Sequence, residues 1–222
     1  MTDLYLYEDL LLLALHDEKG TVRLGVSDGH AMAGAMLAEL VMMGRLRAVG
    51  EDMEVEVQDG APIGDVLLDE VLDFVRDSKK PKPLKHWISK VSYWKNLRVR
   101  VADQLCERGL IERKDETVFF VFSKTTFPEV DGAHEQTIVE HLRRVIFEDV
   151  QGVDARTVVM LSLAFHTEIL EVVFDRKDLK ARKERIESVI EGDASGEVAA
   201  TLIQELQIAA LVPILFTPII IT

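Results

Sequence analysis

The densest run of chemically capable side chains lies between Lys79 and Arg100, where six lysines and two arginines stand with no acid among them. The window carries +8 in a chain of net charge −13, which leaves −21 on the other 200 residues. Trp87, Tyr93 and Trp94 fall inside it, three of the chain's five Trp and Tyr residues. Basic side chains attract anionic lipid headgroups, and Trp and Tyr favour the interfacial zone where one ring edge stays wet. The pattern predicts an anionic-surface patch made of Lys79, Lys80, Lys82, Lys85, Trp87, Lys90 and Trp94. Each cation near such a surface contributes about 1 kcal/mol, so several together hold a protein there reversibly. The same stretch also reads as a solvated lysine loop, with Trp87 turned into the core through the spacing of Leu84, Trp87, Ile88 and Val91.

Other reactive types are scattered. The six histidines (His16, His30, His86, His134, His141, His166) never adopt a metal-ligand spacing, and Cys106 is the one cysteine. No internal disulfide can form, which fits a reducing compartment, and the amphipathic setting of Cys106 reads as a packed thiol. Phosphate-loop, dinucleotide and nucleophile-elbow motifs are missing, so no catalytic residue, metal or cofactor is expected. Asp65, Asp69 and Glu70 fit acids in a first helical turn better than an acid/base pair. His166 reads as a hydrogen-bonded core histidine. A second basic cluster, Arg176 to Arg185, is diluted by acids and reads as i,i+4 pairing on an exposed face.

The elements that must position these residues are mainly helical. Apolar spacing predicts helices over Leu4–His16, Asp28–Met43, Asp65–Arg76, Leu84–Val91, Leu97–Arg108, Glu135–Val150, Arg156–Phe174, Asp178–Ile190 and Ser195–Leu211. Arg156–Phe174 is apolar on most sides and is expected to be the buried central helix. Short strands are expected over Thr21–Val26 and Val118–Phe122, and a hairpin pairs Arg45–Val49 with Met53–Val57. With no repeat and no long linker, the expectation is one mainly α globular domain over residues 1–222, its central helix surrounded by amphipathic helices and small β-hairpins. Leu10–Leu13 lacks the basic flank of a signal peptide. Ile208–Thr222 is too short for a span of about 20 residues and holds Pro213 and Pro218, so it reads as a buried final segment.

Several segments in order resemble the Golgi phosphoprotein 3 family. Leu4-Tyr5-Leu6-Tyr7-Glu8-Asp9-Leu10 with Gly20 is similar to its opening helix, and Ala61-Pro62-Ile63-Gly64-Asp65-Val66-Leu67 is the most telling stretch. Met36–Leu40, Gly44-Arg45-Leu46, Trp87-Ile88, Arg108-Gly109-Leu110, Thr125–Pro128 and Leu161–Phe174 follow in place. The resemblance implies a mainly helical reader of phosphatidylinositol 4-phosphate, of a short bacterial type without the basic N-terminal extension. The family's phosphate-holding positions match Leu24, Ala33, Gly152 and Ala155 here, so the cations implied for a lipid headgroup are the neighbouring Arg23 and Arg156.

The leading functional expectation is therefore a non-enzymatic, cytoplasmic binding protein, peripheral on the cytoplasmic face of a membrane and partnered by anionic lipid. The alternative is a protein-interaction scaffold or homo-oligomer using the same fold. A third reading is a winged-helix regulator, from Val101–Gly109 followed by Val118–Phe122 with Arg98, Arg100 and Arg108. The net charge of −13 opposes it, and no nucleic-acid partner is expected.

Overall fold

A computed structural model describes residues 4–16, 20–22, 28–50, 52–118 and 122–192. In chain order the elements are α1 (Leu6–Ala14), β1 (Leu15–His16), β2 (Thr21–Val22), α2 (Asp28–Met42), β3 (Leu46–Val49) and β4 (Glu54–Val57). Then come α3 (Val66–Arg76), β5 (Lys82–Pro83), α4 (Leu84–Ser92), α5 (Leu97–Glu107), β6 (Lys114–Val118) and β7 (Phe122–Thr126). The chain continues through α6 (Ala133–Phe147), α7 (Ala155–His166), α8 (Leu170–Val173), α9 (Arg176–Ala181) and α10 (Lys183–Glu191). The fold is mainly α, with small antiparallel sheets ordered β1-β2, β3-β4-β5 and β6-β7.

One core runs through the helices, and α1 lies deepest: all nine of its residues are buried. It packs against α2, α5, α6, α7 and α8. A run of four leucines, Leu10–Leu13, explains the burial, because no face of this helix is polar beyond its first turn. The middle of α2 is as enclosed, from Ala31 to Leu40. Small residues let it approach its neighbours: a Cβ built on Gly34 would meet Leu163 Cδ2 of α7 at 2.8 Å. Gly20 has φ +55, and a Cβ there would fall 2.0 Å from the Phe127 backbone, whose N–H bonds the Gly20 carbonyl at 2.8 Å. Only glycine closes that junction.

The α7 helix is buried from Ala155 to Ala164 apart from Arg156, but it is shorter than its apolar run suggests. The expected helix over Arg156–Phe174 divides into α7 and α8. Thr167 folds its hydroxyl back onto the Leu163 carbonyl at 2.6 Å, and Glu168 takes a left-handed φ of 64. Because buried apolar residues stand on both sides of the break, Leu163 and Ala164 before it and Ile169 and Leu170 after it, the apolar pattern continues across it. Val118–Phe122 is corrected as well. It is not one strand: Val118 ends β6 and pairs with Phe122, which begins β7. Residues 119–121 lie outside the described residues, as do Ser195–Leu211, the Ile208–Thr222 tail and most of Thr21–Val26. The hairpin of β3 and β4 forms as expected and gains β5 as a third strand.

The second basic cluster does more than pair along its own helix. Lys183 and Glu187 do lie 3.3 Å apart at i,i+4. Arg182 and Arg185, however, reach the C-terminal end of α6, donating to the Ile146 carbonyl at 2.8 Å and the Val145 carbonyl at 3.2 Å. Arg185 also donates to the Val150 carbonyl, and Arg182 pairs with Asp149. These bonds satisfy carbonyls that a helix end leaves open.

Asp65 shows how the 61–67 stretch holds the fold. It caps α3 by accepting from the Leu67 and Leu68 amides, and its other oxygen accepts from the Tyr7 hydroxyl at 2.9 Å and Gln104 Nε2 at 3.0 Å. One carboxylate thus joins α1, α3 and α5. Asp65→Ala removes a cap and the acceptor shared by Tyr7 and Gln104, which keep only their 3.0 Å bond to each other, so a loss of about 3 kcal/mol is expected in urea unfolding. A midpoint unchanged from the parent chain would refute that role.

Candidate anionic-surface site

The lysine window begins just past α3 and runs through β5 and α4 into α5. Its backbone is fixed by burial on one side: Leu84, Trp87, Ile88 and Val91 of α4 turn inward. Trp87 is only 3% exposed and donates Nε1–H to the Lys82 carbonyl at 3.1 Å, tying β5 to α4. It therefore lies beneath the patch and not in its surface, a correction to its expected place. The reason is the i, i+3, i+4 spacing that also puts Leu84, Ile88 and Val91 in the core.

Lys79, Lys80, Lys82, Lys85, Lys90 and Lys95 are all exposed. Among the described residues, none has a carboxylate within 4.0 Å. The arginines behave differently. Arg98 lies 3.4 Å from Asp28, Arg100 is paired with Glu70, and Arg108 Nε lies 3.0 Å from Glu8. These are the three arginines that a nucleic-acid reading needs. His86 reports the local field: desolvation first, then Lys82 and Lys90, hold its imidazole below the usual value. Beside Lys79 and Lys80 a recess of about 250 Å³ opens between Val55, Val57 and Val75. A larger recess of about 490 Å³ has Glu129 and Glu135 on its rim, a charge unsuited to anions. Half-buried Trp94 stacks under Arg100, whose Cζ is 5.9 Å from the ring centre.

The headgroup pair is not brought together in the same way. Arg23 lies outside the described residues. Arg156 is described, and its terminal nitrogens meet internal acceptors. One lies 3.0 Å from both Glu39 oxygens, and the other donates to the Leu4 carbonyl at 2.7 Å and to Asp9 at 3.0 Å. His134 Nε2 sits 3.2 Å from the second Asp9 oxygen, and Glu39 also caps α1 by accepting from the Leu6 amide at 2.6 Å. A phosphate arriving at Arg156 would have to displace two carboxylates.

This cluster was missed in the sequence because its members are far apart in the chain. The one available signal was acids inside an apolar helix, since Glu8 and Asp9 interrupt a leucine-rich run. Burial raises both carboxyls above their usual range, and Arg108, or Arg156 and His134, pull them partly back. Burial likewise pushes the Tyr7 phenol and the half-buried Cys106 thiol up. Among the described residues, no group of His, Cys, Asp and Glu is placed to hold a metal ion. No helix among them is long and apolar enough to cross a membrane.

A mainly helical domain with a charge-locked opening helix and a one-sided lysine face is the class defined by this geometry. The chain belongs to the Golgi phosphoprotein 3 (GPP34) family, which it matches over residues 6–206. It is similar to vacuolar protein sorting-associated protein 74 of Eremothecium gossypii, at 27% identity over 213 residues. That alignment covers 81% of this chain and 64% of the relative, so the chain spans less than two thirds of the relative's length.

Replacing Arg156 with Met leaves Glu39 and Asp9 without their cation, an expected cost of about 3 kcal/mol at neutral pH. The sign of its pH dependence follows from burial. Asp9 binds its proton more tightly folded than unfolded, so its contribution is full below the unfolded value and is lost as pH rises through the folded one. The Arg156→Met deficit should therefore narrow from neutral pH toward about pH 5 in urea unfolding. A deficit that widens on acidification would contradict the assignment.

Proposed function

We propose that this chain is a non-enzymatic protein that associates peripherally with anionic membrane, on the cytoplasmic face, through the lysine face around α4. The observation that carries the reading is the contrast between paired arginines and unpaired lysines. The carboxylates enclosed with α1 are met by arginines, and the exposed lysines from Lys79 to Lys95 have no carboxylate within 4.0 Å among the described residues. An array of like charges on one face repels itself, and its energy falls when an anionic surface approaches. Membership of a family whose resemblance implies phosphatidylinositol 4-phosphate reading supports the same partner chemistry. The name of the yeast-type relative, a sorting-associated protein, is consistent with work at membranes.

With Arg156 engaged internally, the headgroup contact falls to the lysines. A lysine ammonium is a point charge without the two-pronged geometry of arginine. The expected behaviour is preference for charge density, with phosphatidylinositol 4-phosphate favoured over phosphatidylserine by its extra charge.

Flotation with phosphatidylserine vesicles, with and without phosphatidylinositol 4-phosphate, tests this directly. Binding should be present at low salt and fade as salt screens the lysines. Lys79→Glu, Lys80→Glu and Lys90→Glu together should weaken it by about a hundredfold, since each reversal removes at least 1 kcal/mol. The His86 imidazole should titrate at higher pH on vesicles, because an anionic surface offsets Lys82 and Lys90. No flotation at low salt would overturn the proposal and favour the scaffold alternative.

A further inference from the structure

The lysine face is not purely polar. The exposed positions of α3 at i, i+4 and i+8 are Val66, Glu70 and Phe74, with Val66 72% and Phe74 39% exposed. The Phe74 ring meets Trp94 edge-on, centres 5.7 Å apart, and stands at 84° to Trp87 with centres 5.3 Å apart. Trp87 is enclosed and anchored through Lys82, so Phe74 and Trp94 form an outward pair on a fixed base. Tyr93, the next residue, is 79% exposed. Apolar rings left to water at one spot mark a contact surface more often than chance scatter does.

The charges around this pair identify what it contacts. Each acid of α3 has a partner in the fold, on the surface or beneath it. Glu70 pairs with Arg100, and Arg100 in turn lies over Trp94. Arg76 lies 2.7 Å from Asp73 and 3.5 Å from Asp77. Asp69 turns back to accept from the Ile63 and Gly64 amides. Lys79 and Lys80 follow α3, Lys90 precedes Trp94 by four residues and Lys95 follows it, all exposed, while Glu54 and Glu56 of β4 are exposed acids on the strand that pairs with Lys82. Aromatic rings flanked in the chain by exposed lysines complement a surface with an anionic outer layer over an apolar interior. A lipid bilayer has that layering, and an acidic protein surface lacks the apolar depth.

We infer that Phe74 and Trp94 form an aromatic wedge that enters the headgroup–acyl boundary of an anionic bilayer. The inference rests on the membrane association proposed above and adds an orientation to it. The C-terminal ends of α3 and α4 face the lipid. It also adds a component of binding that salt does not screen, because burial of apolar surface is insensitive to ionic strength at these levels.

The test uses the whole chain with phosphatidylserine vesicles whose acyl chains carry bromine. Indole emission should shift to the blue and be quenched on binding. Trp94→Phe should remove most of the quenching, since Trp87 is enclosed and stays dark to the bromines. Phe74→Ser should weaken binding about tenfold and abolish the fraction that persists at high salt, with a thermal melt confirming that it folds. Wild-type chain that binds without quenching, together with Phe74→Ser binding unchanged at every salt concentration, would overturn the wedge and leave the lysine reading standing. Quenched binding that ignores both salt and the Lys→Glu changes would overturn the lysine reading and keep the wedge. No binding at low salt would overturn both.

Discussion

The interaction on which the rest depends is the enclosure of two acids in the first turn of α1. A helix with every residue buried must take its charges with it, and an unpaired carboxylate in that setting costs several kcal/mol. Each neighbour therefore contributes a partner. Arg156 comes from α7 and His134 from α6, Arg108 stands at the end of α5, and Glu39 of α2 completes the ring around Arg156. Tyr7, one residue earlier, extends the same network to Asp65 at the head of α3. These bonds have direction, so they fix how the helices are rotated as well as whether they touch. The leucines supply the drive to bury α1, and the polar ring selects one way of doing it.

That internal pairing shapes the exterior. The chain carries more acid than base, yet most of its described arginines and many of its acids are spent on one another within or across elements. The lysines between Lys79 and Lys95 are left over, beside an α3 whose acids are held in backbone caps and arginine pairs. A strongly negative protein thus presents a locally positive surface. Global net charge would have hidden it.

How far the chain could be read in advance follows from what each feature depends on. Most helices were legible because their apolar stripes are local: α3 and α4 begin and end within a residue or two of where Val66–Val75 and Leu84–Val91 place them. The break at Thr167–Glu168 was not, because residues buried on both sides of a bend keep the apolar pattern going through it. Val118–Phe122 misled for a related reason, since strand-forming residues on both sides of a hairpin read as one run. At the site, the lysine window was visible as composition, and the inward turn of Trp87 was visible in its spacing. The ring around Arg156 was not, since its members span Leu4 to Arg156 and only folding brings them together. Phe74 escaped notice because it sits between Asp73 and the buried Val75, and nothing local marks it as the apolar residue that α3 leaves exposed.

The arginine pair at the start of α10 has a mechanical side. Arg182 and Arg185 hold carbonyls at the end of α6 and in the connection that leads into α7. A pull applied at the far end of α10 would not peel that helix away one turn at a time. The load would pass through the two guanidinium groups into the α6–α7 junction, and from there along α7 to the core. A shear clasp of this kind resists until several hydrogen bonds yield together. The last described helix is thereby a strong attachment point for anything that tugs on the chain beyond it.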